Sequence, residues 1–206
     1  MSDQPTIFII DDDPLVRDST RLLVKSMGGR FQTHSSAADF LERYGGESGC
    51  VVSDVRMAGM TGLQLLETLA EQGFLIPVIL ITAFADIPTT VRAIQQGAVT
   101  VLRKPCADSE LWEAISTGLE QEKIKRRKRT RLTELRERIA TLTPGEETVM
   151  NRVVKGEMNK AIATELGVSL RTVEQRRSRV LKKMKVQSIA ELVRCVLEME
   201  FTADDR

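Results

Sequence analysis

The sequence predicts an α/β domain built on a parallel sheet, then an all-α helix-turn-helix domain, with a long helical linker joining them. Three observations carry this reading. Residues 1–120 read as five strand-helix units, short strand-like runs alternating with segments of helical period. The same residues hold 9 Lys/Arg against 16 Asp/Glu, a balance of −7, whereas residues 121–206 hold 21 against 13, a balance of +8. From Glu110 to about Ala140 there is no Pro, and no Gly beyond Gly118. We therefore divide the chain into a first domain at 1–120, a basic helical linker at 121–141 and a second domain at 142–206. The 206 residues allow each domain a core of its own.

Thr6, Ile7, Phe8, Ile9 and Ile10 form a β-branched and aromatic run that stops at Asp11, Asp12 and Asp13. Pro14 is well placed to open a helix, in which Leu15, Ser19, Leu22, Leu23 and Ser26 share a face of apolar and small residues, closed by Gly28 and Gly29. Residues 31–34 read as a second strand, and Ser35 and Ser36 precede a helix through Phe40 and Leu41. Cys50, Val51, Val52 and Ser53 form a buried strand that ends at Asp54, with residues 59–62 as a turn. The next helix uses Leu63, Leu66 and Leu69 and closes at Gly73. A fourth strand over 77–81 ends at Thr82, a helix runs from about Asp86 to Gln96, and a fifth strand spans about 100–102. Lys104 and Pro105 follow, then a helix from Ser109.

Several classes are excluded. No apolar stretch approaches the roughly 18 residues of a membrane span, and residues 1–6 lack the basic region and apolar run of a signal peptide, so the expected location is the cytoplasm. Cys50, Cys106 and Cys195 are odd in number and far apart, without zinc or disulfide spacing, and are expected to be reduced. His34 is the single histidine, which leaves no histidine metal cluster and no Ser/His triad. An acidic half and a basic half suggest two jobs, the second directed at a polyanion.

Asp11, Asp12, Asp54, Thr82 and Lys104 all fall just past the carboxyl end of a predicted strand, the edge where open α/β sheets bind ligands. Clustered carboxylates repel one another, and a hard divalent cation such as magnesium relieves that repulsion. Magnesium takes one or two carboxylates together with phosphate oxygens, which points to a phosphoryl group. Lys104 offers a compact positive charge for it and Thr82 a hydrogen bond. One aspartate would accept the phosphoryl group. Asp54 stands alone at its strand end and is the choice for that role, whereas the adjacent Asp11 and Asp12 suit metal. Taken by itself, the Asp11 to Asp13 trio reads equally well as an acidic turn or helix cap.

On these residues the region 4–120 resembles the receiver domain of two-component response regulators, matching an acidic pair (Asp11, Asp12), a phosphoacceptor (Asp54), a hydroxyl residue (Thr82) and a Lys-Pro pair (Lys104, Pro105). The resemblance implies a flavodoxin-like sheet of strand order 2-1-3-4-5 and phosphorylation of Asp54 by a sensor histidine kinase. It also implies a Mg2+ ion touched directly by Asp12 and Asp54, through water by Asp11, and by the backbone carbonyl of Arg56, and it makes Lys104-Pro105 a cis-peptide candidate. Ala58, Cys106 and Val101 depart from the usual pattern, where proline, phenylalanine and an aromatic switch residue are common. We therefore expect Thr82 and the face around Ile87 to Ile94 to carry most of the switch.

The linker contains Lys123, Lys125, Arg126, Arg127, Lys128, Arg129 and Arg131, which reads first as a solvated helix face. Thr143, Pro144 and Glu146 form a capping-box start for a helix with Val149, Val153 and Val154 inward, ended by Gly156. A short helix over 159–166, the Gly167-Val168 turn and a Ser169 cap make a helix-turn-helix. At about 100° per residue, Thr172, Arg176, Arg179 and Lys183 share one stripe, with Val173, Val180, Leu181 and Met184 beyond it. That stripe is expected to enter a major groove, with Arg171 and Lys182 on phosphates. Through Leu142-Thr143-Pro144, Gly156, Asn159-Lys160, Ile162-Ala163, Leu166, Ser169, Thr172-Val173, Val180 and Lys183-Met184, residues 142–199 resemble the LuxR-type DNA-binding domain of FixJ/NarL-type regulators. The resemblance implies that residues 169–184 read DNA and that the helix over 189–199 serves dimerisation.

The expected function is a phosphorylation-controlled, DNA-binding transcription regulator that forms a homodimer when phosphorylated and is not an enzyme, though it accepts a phosphoryl group and can slowly lose it. Two rivals stand beside it. One keeps the DNA-binding protein but makes the receiver an unphosphorylated dimerisation module. The other is an aspartyl-nucleophile phosphatase attacking through Asp11, for which 120 residues leave little room.

Overall fold

A computed structural model of the chain describes residues 4–84 and 86–203. The chain forms two compact units, Met1–Arg126 and Arg127–Arg206, and each is described by itself.

In the first unit, β1 (Thr6–Ile10), β3 (Gly49–Asp54) and β4 (Val78–Thr82) are buried along their whole length, as apolar runs covered on both faces must be. β2 (Arg30–His34) and β5 (Thr100–Arg103) form the edges. All pairings are parallel and the order is β2-β1-β3-β4-β5, as the resemblance implied. Ile10 pairs with Ser53, Asp54 with Ile81 and Thr82 with Arg103, so the polar residues that follow each strand emerge at one edge.

Alternate side chains face opposite layers. Phe8, Val51, Val78 and Leu80 pack with α2 (Ala37–Arg43), α3 (Gly62–Glu71) and α4 (Ile87–Gln95), through Phe40, Leu65, Leu69 and Ala93. Ile7, Ile9, Cys50, Val52 and Ile79 pack with α1 (Pro14–Ser26) and the start of α5 (Asp108–Ala140), through Val24, Leu111 and Ile115. Each fully buried Leu, Ile or Phe contributes about 1.5–3 kcal/mol relative to exposure.

The buried face of α1 differs from the expected one. Thr20 and Val24 face the sheet, whereas Leu15 is 80% and Leu22 56% exposed. The consecutive Leu22, Leu23 and Val24 leave the helical phase ambiguous, and Thr20 enters the core because its hydroxyl donates to the Val16 carbonyl at 3.0 Å. In α3 the fully buried Leu65 joins Leu66 and Leu69 on the inner face.

α5 continues unbroken for 33 residues. Glu122 is buried, accepts from Ser48 Oγ at 2.9 Å and pairs with Arg126, whose Nη2 also donates to the Gly46 carbonyl at 3.0 Å. Residues 123–131 are exposed. Leu132 and Leu135 are buried again, the latter with Met150, Val180, Met184 and Leu192 of the second unit.

That unit contains α6 (Pro144–Val154), α7 (Asn159–Leu166), α8 (Leu170–Met184) and α9 (Ile189–Ala203). α6 opens with the expected capping box of Thr143 and Glu146. Gly167 adopts φ +63°, the left-handed value that ends α7, and Ser169 caps α8, so a three-residue turn separates the two helices. Arg152 holds α6 to α7 through Glu157 at 3.1 Å and a two-pronged pair with Glu165. Val149, Val153, Ile162 and Val173 fill the space between the three helices. Among the described residues no helix is long and apolar enough to cross a membrane. The three cysteines are free thiols, with Cys50 and Cys195 buried and Cys106 half-buried.

Candidate functional site

Asp11, Asp54, Thr82 and Lys104 meet at the carboxyl edge of the sheet. The Lys104 ammonium donates to Asp11 Oδ2 at 2.8 Å and to Asp54 Oδ1 at 2.6 Å. Both acids are buried, as is Thr82, so the paired charges sit in a poorly solvated recess. The second Asp54 oxygen accepts from the Arg56 N–H at 2.6 Å. Thr82 follows Ile81, the register partner of Asp54, and its Oγ1 accepts from the Phe84 N–H at 3.2 Å. Its carbonyl accepts from the Lys104 N–H at 2.8 Å, which fixes the start of the Lys104 side chain, and Lys104-Pro105 is cis.

Asp12 is exposed and reaches across to the loop after Asp54, accepting from the Ala58 N–H at 2.9 Å. Asp13 caps α1 through the Leu15 N–H at 2.8 Å, so the acidic trio divides its labour between cap and site. Burial pulls the Lys104 ammonium downward, but the hydrogen bonds and charges of Asp11 and Asp54 outweigh it, leaving Lys104 above the ordinary lysine value. It remains cationic at neutral pH.

Two supports were not apparent in the sequence. Arg17 Nη1 donates to the Asp11 carbonyl at 2.6 Å, bracing the loop from α1. Gly62 permits α3 to start directly against the end of β3, because a Cβ there would lie 2.3 Å from the Asp54 carbonyl oxygen. A glycine in a turn is the sequence signal for such a contact, but the identity of its neighbour is a tertiary fact.

The hard oxygen donors of Asp11 and Asp54 converge on one small cation, the Lys104 ammonium, so the donor set suits magnesium, which takes few carboxylates and keeps its waters. Among the described residues no three His, Cys, Asp or Glu side chains form a ready metal cage. The recess brings two buried carboxylates together beside a lysine.

On α8 the expected basic stripe divides. Ser169, Arg171, Arg179 and Lys182 are exposed. Thr172 is half-buried beside the Ser169 cap, with the two hydroxyls 2.8 Å apart. Arg176 is half-buried with its guanidinium close to Gly145. Lys183 turns inward, donating to the Thr141 carbonyl at 2.8 Å and to Glu146 Oε2 at 2.6 Å. Glu146 is buried, and the Lys183 hydrogen bond, joined by the Thr143 N–H, holds its carboxyl down at about 2.

The solvent face opposite the buried Val173, Val180 and Met184 carries Arg171, Gln175, Ser178 and Lys182, about a quarter-turn from the expected stripe. Taking the point opposite the apolar triad, rather than the line of cations, would have located it from sequence. The expected Arg176 and Lys183 thus lie half-buried on the flank of the helix.

The sequence profile described as "Response regulator receiver domain" matches residues 7–116, and that described as "Bacterial regulatory proteins, luxR family" matches residues 140–196. The transcriptional regulatory protein FixJ of Azorhizobium caulinodans is 39% identical over 198 residues, 96% of this chain and 94% of that protein. The response regulator protein TodT of Pseudomonas putida is 40% identical over 196 residues, 94% of this chain and 86% of that protein. The solved structure of the response regulator StyR superposes with a TM-score of 0.87 at 39% identity, covering 95% of this chain and 99% of StyR. Full-length FixJ from B. japonicum gives 0.58 at 36% identity, covering 96% and 98%. With both profiles matched in order, and identity of this extent along almost the whole length, the chain belongs to the response regulators that join a receiver domain to a LuxR-type regulatory domain.

Proposed function

We propose that this chain is a cytoplasmic transcription regulator of a two-component system, switched by phosphorylation of Asp54, with a receiver at 1–120, a linker at 121–141 and a DNA-binding domain at 142–206. The observation that carries the reading is the convergence of Asp11 and Asp54 on the Lys104 ammonium at the sheet edge.

A sensor histidine kinase is the proposed donor. An Asp54 oxygen forms a bond to phosphorus while the P–N bond of the donor phosphohistidine breaks, and its electron pair returns to the imidazole. Lys104 holds charge beside the incoming oxygens, and the Thr82 hydroxyl donates to one of them. Receiver domains generally bind Mg2+ at the phosphorylation site. Here Asp12, Asp54 and the Arg56 carbonyl would hold it directly and Asp11 through water, where it would neutralise phosphoryl charge. The chain is an acceptor rather than an enzyme, losing its own phosphoryl group slowly.

Phosphorylation then favours a homodimer, which presents two copies of α8 to double-stranded DNA at paired half-sites. Arg171, Gln175, Ser178 and Lys182 face the groove, Ser169 and Arg179 flank it, and Thr172, Arg176 and Lys183 shape and hold the helix. In the deciding experiment, wild type and Asp54→Asn are treated with a small acyl phosphate and magnesium, then followed by intact mass, sedimentation and DNA binding. Wild type should gain one phosphoryl group, self-associate and bind DNA more tightly, and Asp54→Asn should do none of these. Identical behaviour of the two would sink the proposal in favour of an unmodified dimerisation module.

A further inference from the structure

Arg56 and Phe84 lie on the two loops that follow Asp54 and Thr82, and their side chains have no part in the chemistry proposed above. The guanidinium carbon of Arg56 stands 5.1 Å from the centroid of the Phe84 ring, a cation–π distance. Both residues are exposed, Phe84 at 66%. A surface contact of this kind usually means little. This one is distinctive in where its two backbones are tied.

The Arg56 N–H donates to Asp54 Oδ2, and the Phe84 N–H donates to Thr82 Oγ1. Each end of the pair is therefore anchored to a side-chain oxygen whose bonding changes when a phosphoryl group arrives. Asp54 exchanges a carboxylate for an acyl phosphate, and the Thr82 hydroxyl gains an anion to which it can donate. On its far side the pair borders α4. Asp86 caps that helix by accepting from the Thr89 N–H at 2.7 Å. Its carboxyl lies below the usual range mainly through hydrogen bonding to Thr89, with a smaller contribution from the Arg56 charge. Ile87, Val91 and Ile94 continue from there as an exposed apolar line.

We infer that the Arg56–Phe84 pair is a latch that couples the bonding state of Asp54 to the N-terminus of α4, with both side chains acting as positioning residues. The inference rests on the reading of Asp54 as phosphoacceptor. The contact is made while Asp54 and Thr82 hold the two N–H groups, so it stabilises that arrangement, and its loss shifts the equilibrium toward the other one. Released from Arg56, the Phe84 ring lengthens the apolar line of α4. Val101, half-buried against the core, offers no ring on the neighbouring strand, which leaves this role to Phe84.

The test is hydrogen exchange of the first turn of α4 in the full chain, with and without a small acyl phosphate plus magnesium. Intact mass reports phosphoryl incorporation in the same samples. Wild type should exchange faster once phosphorylated. Phe84→Leu, which keeps apolar bulk but loses the π face, should exchange about two- to fivefold faster without phosphodonor, the range expected for an exposed cation–π contact, and its response should shrink by the same factor. Phe84→Tyr should behave as wild type. Arg56→Gln should match Phe84→Leu, and the double variant should match either single rather than their product.

A wild-type response in Phe84→Leu, a loss of response in Phe84→Tyr, or multiplicative singles would overturn the latch. If wild type takes up the phosphoryl group at Asp54 and α4 does not move, the latch falls while the phosphoacceptor reading stands. If no phosphoryl group reaches Asp54, both fall.

Discussion

Two lysines of this chain occupy similar chemistry for opposite ends. Lys104 lies between Asp11 and Asp54, supplied by three different strand ends, and Lys183 lies between Glu146 and the Thr141 carbonyl, close to the start of α6. At the sheet edge the pair is assembled from residues just past separate strand ends, where open α/β sheets take up ligands. In the helical unit the partner acid is also the capping-box residue of α6, so the ion pair closes a helix start and a core together. An ion pair assembled from strand ends is suited to exchange; one built into a cap is suited to permanence. The same residue type does either job according to what its partner is already bonded to.

That contrast can be broken or sharpened by substitution. The largest effect is expected at Asp54, the proposed acceptor: Asp54→Asn should abolish phosphoryl incorporation and the phosphodonor-induced gain in DNA binding, with unchanged circular dichroism. Next is Gly62→Ala, which would press a methyl group onto the Asp54 carbonyl oxygen and cost about 1–3 kcal/mol, the usual range for overpacking, read from the urea midpoint of the first unit. The exchangeable pair would then be shown to depend on a rigid floor. A first unit of wild-type stability would show that α3 can yield.

Acid should act on the permanent pair. Glu146 titrates near its ordinary 4.5 when unfolded and at about 2 when folded. Its contribution is therefore complete above the ordinary value and is lost as the pH falls from about 4.5 to about 2. The second unit should lose stability across that window, and Glu146→Gln should flatten this part of the pH profile in thermal melts. An unaltered profile would show that Lys183 is exchangeable after all. The smallest effect is expected at the exposed end of α8. Lys182→Gln should lower the salt dependence of binding to a random-sequence duplex by about one counterion, whereas Lys183→Gln should alter melting more than the salt slope.

The sheet edge was legible because each apolar run ends at a polar residue, and parallel order carries all those ends to one side. Asp11, Asp54, Thr82 and Lys104 could thus be gathered without any knowledge of side-chain geometry. The face of α8 was less legible because its cations cluster on two adjoining stripes. The buried Val173, Val180 and Met184 fix which stripe is opposite the core, a phase that the sequence carries in its apolar residues rather than in its cations. On α1 three successive apolar residues concealed the phase, and Thr20 entered the core on the strength of one hydroxyl hydrogen bond. Gly62 and Arg17 were beyond reach for a different reason, since each acts on a carbonyl of another segment, and backbone carbonyls carry no signature in a sequence.

The three thiols have a practical consequence. Cys50 is sealed in the sheet, with its thiol pushed far above the ordinary value by burial, and Cys195 is buried as well. Cys106 alone is half-open, two residues beyond Lys104. A maleimide fluorophore should therefore label the unaltered chain at a single position. That would place a real-time optical reporter two residues from Lys104 without engineering a cysteine.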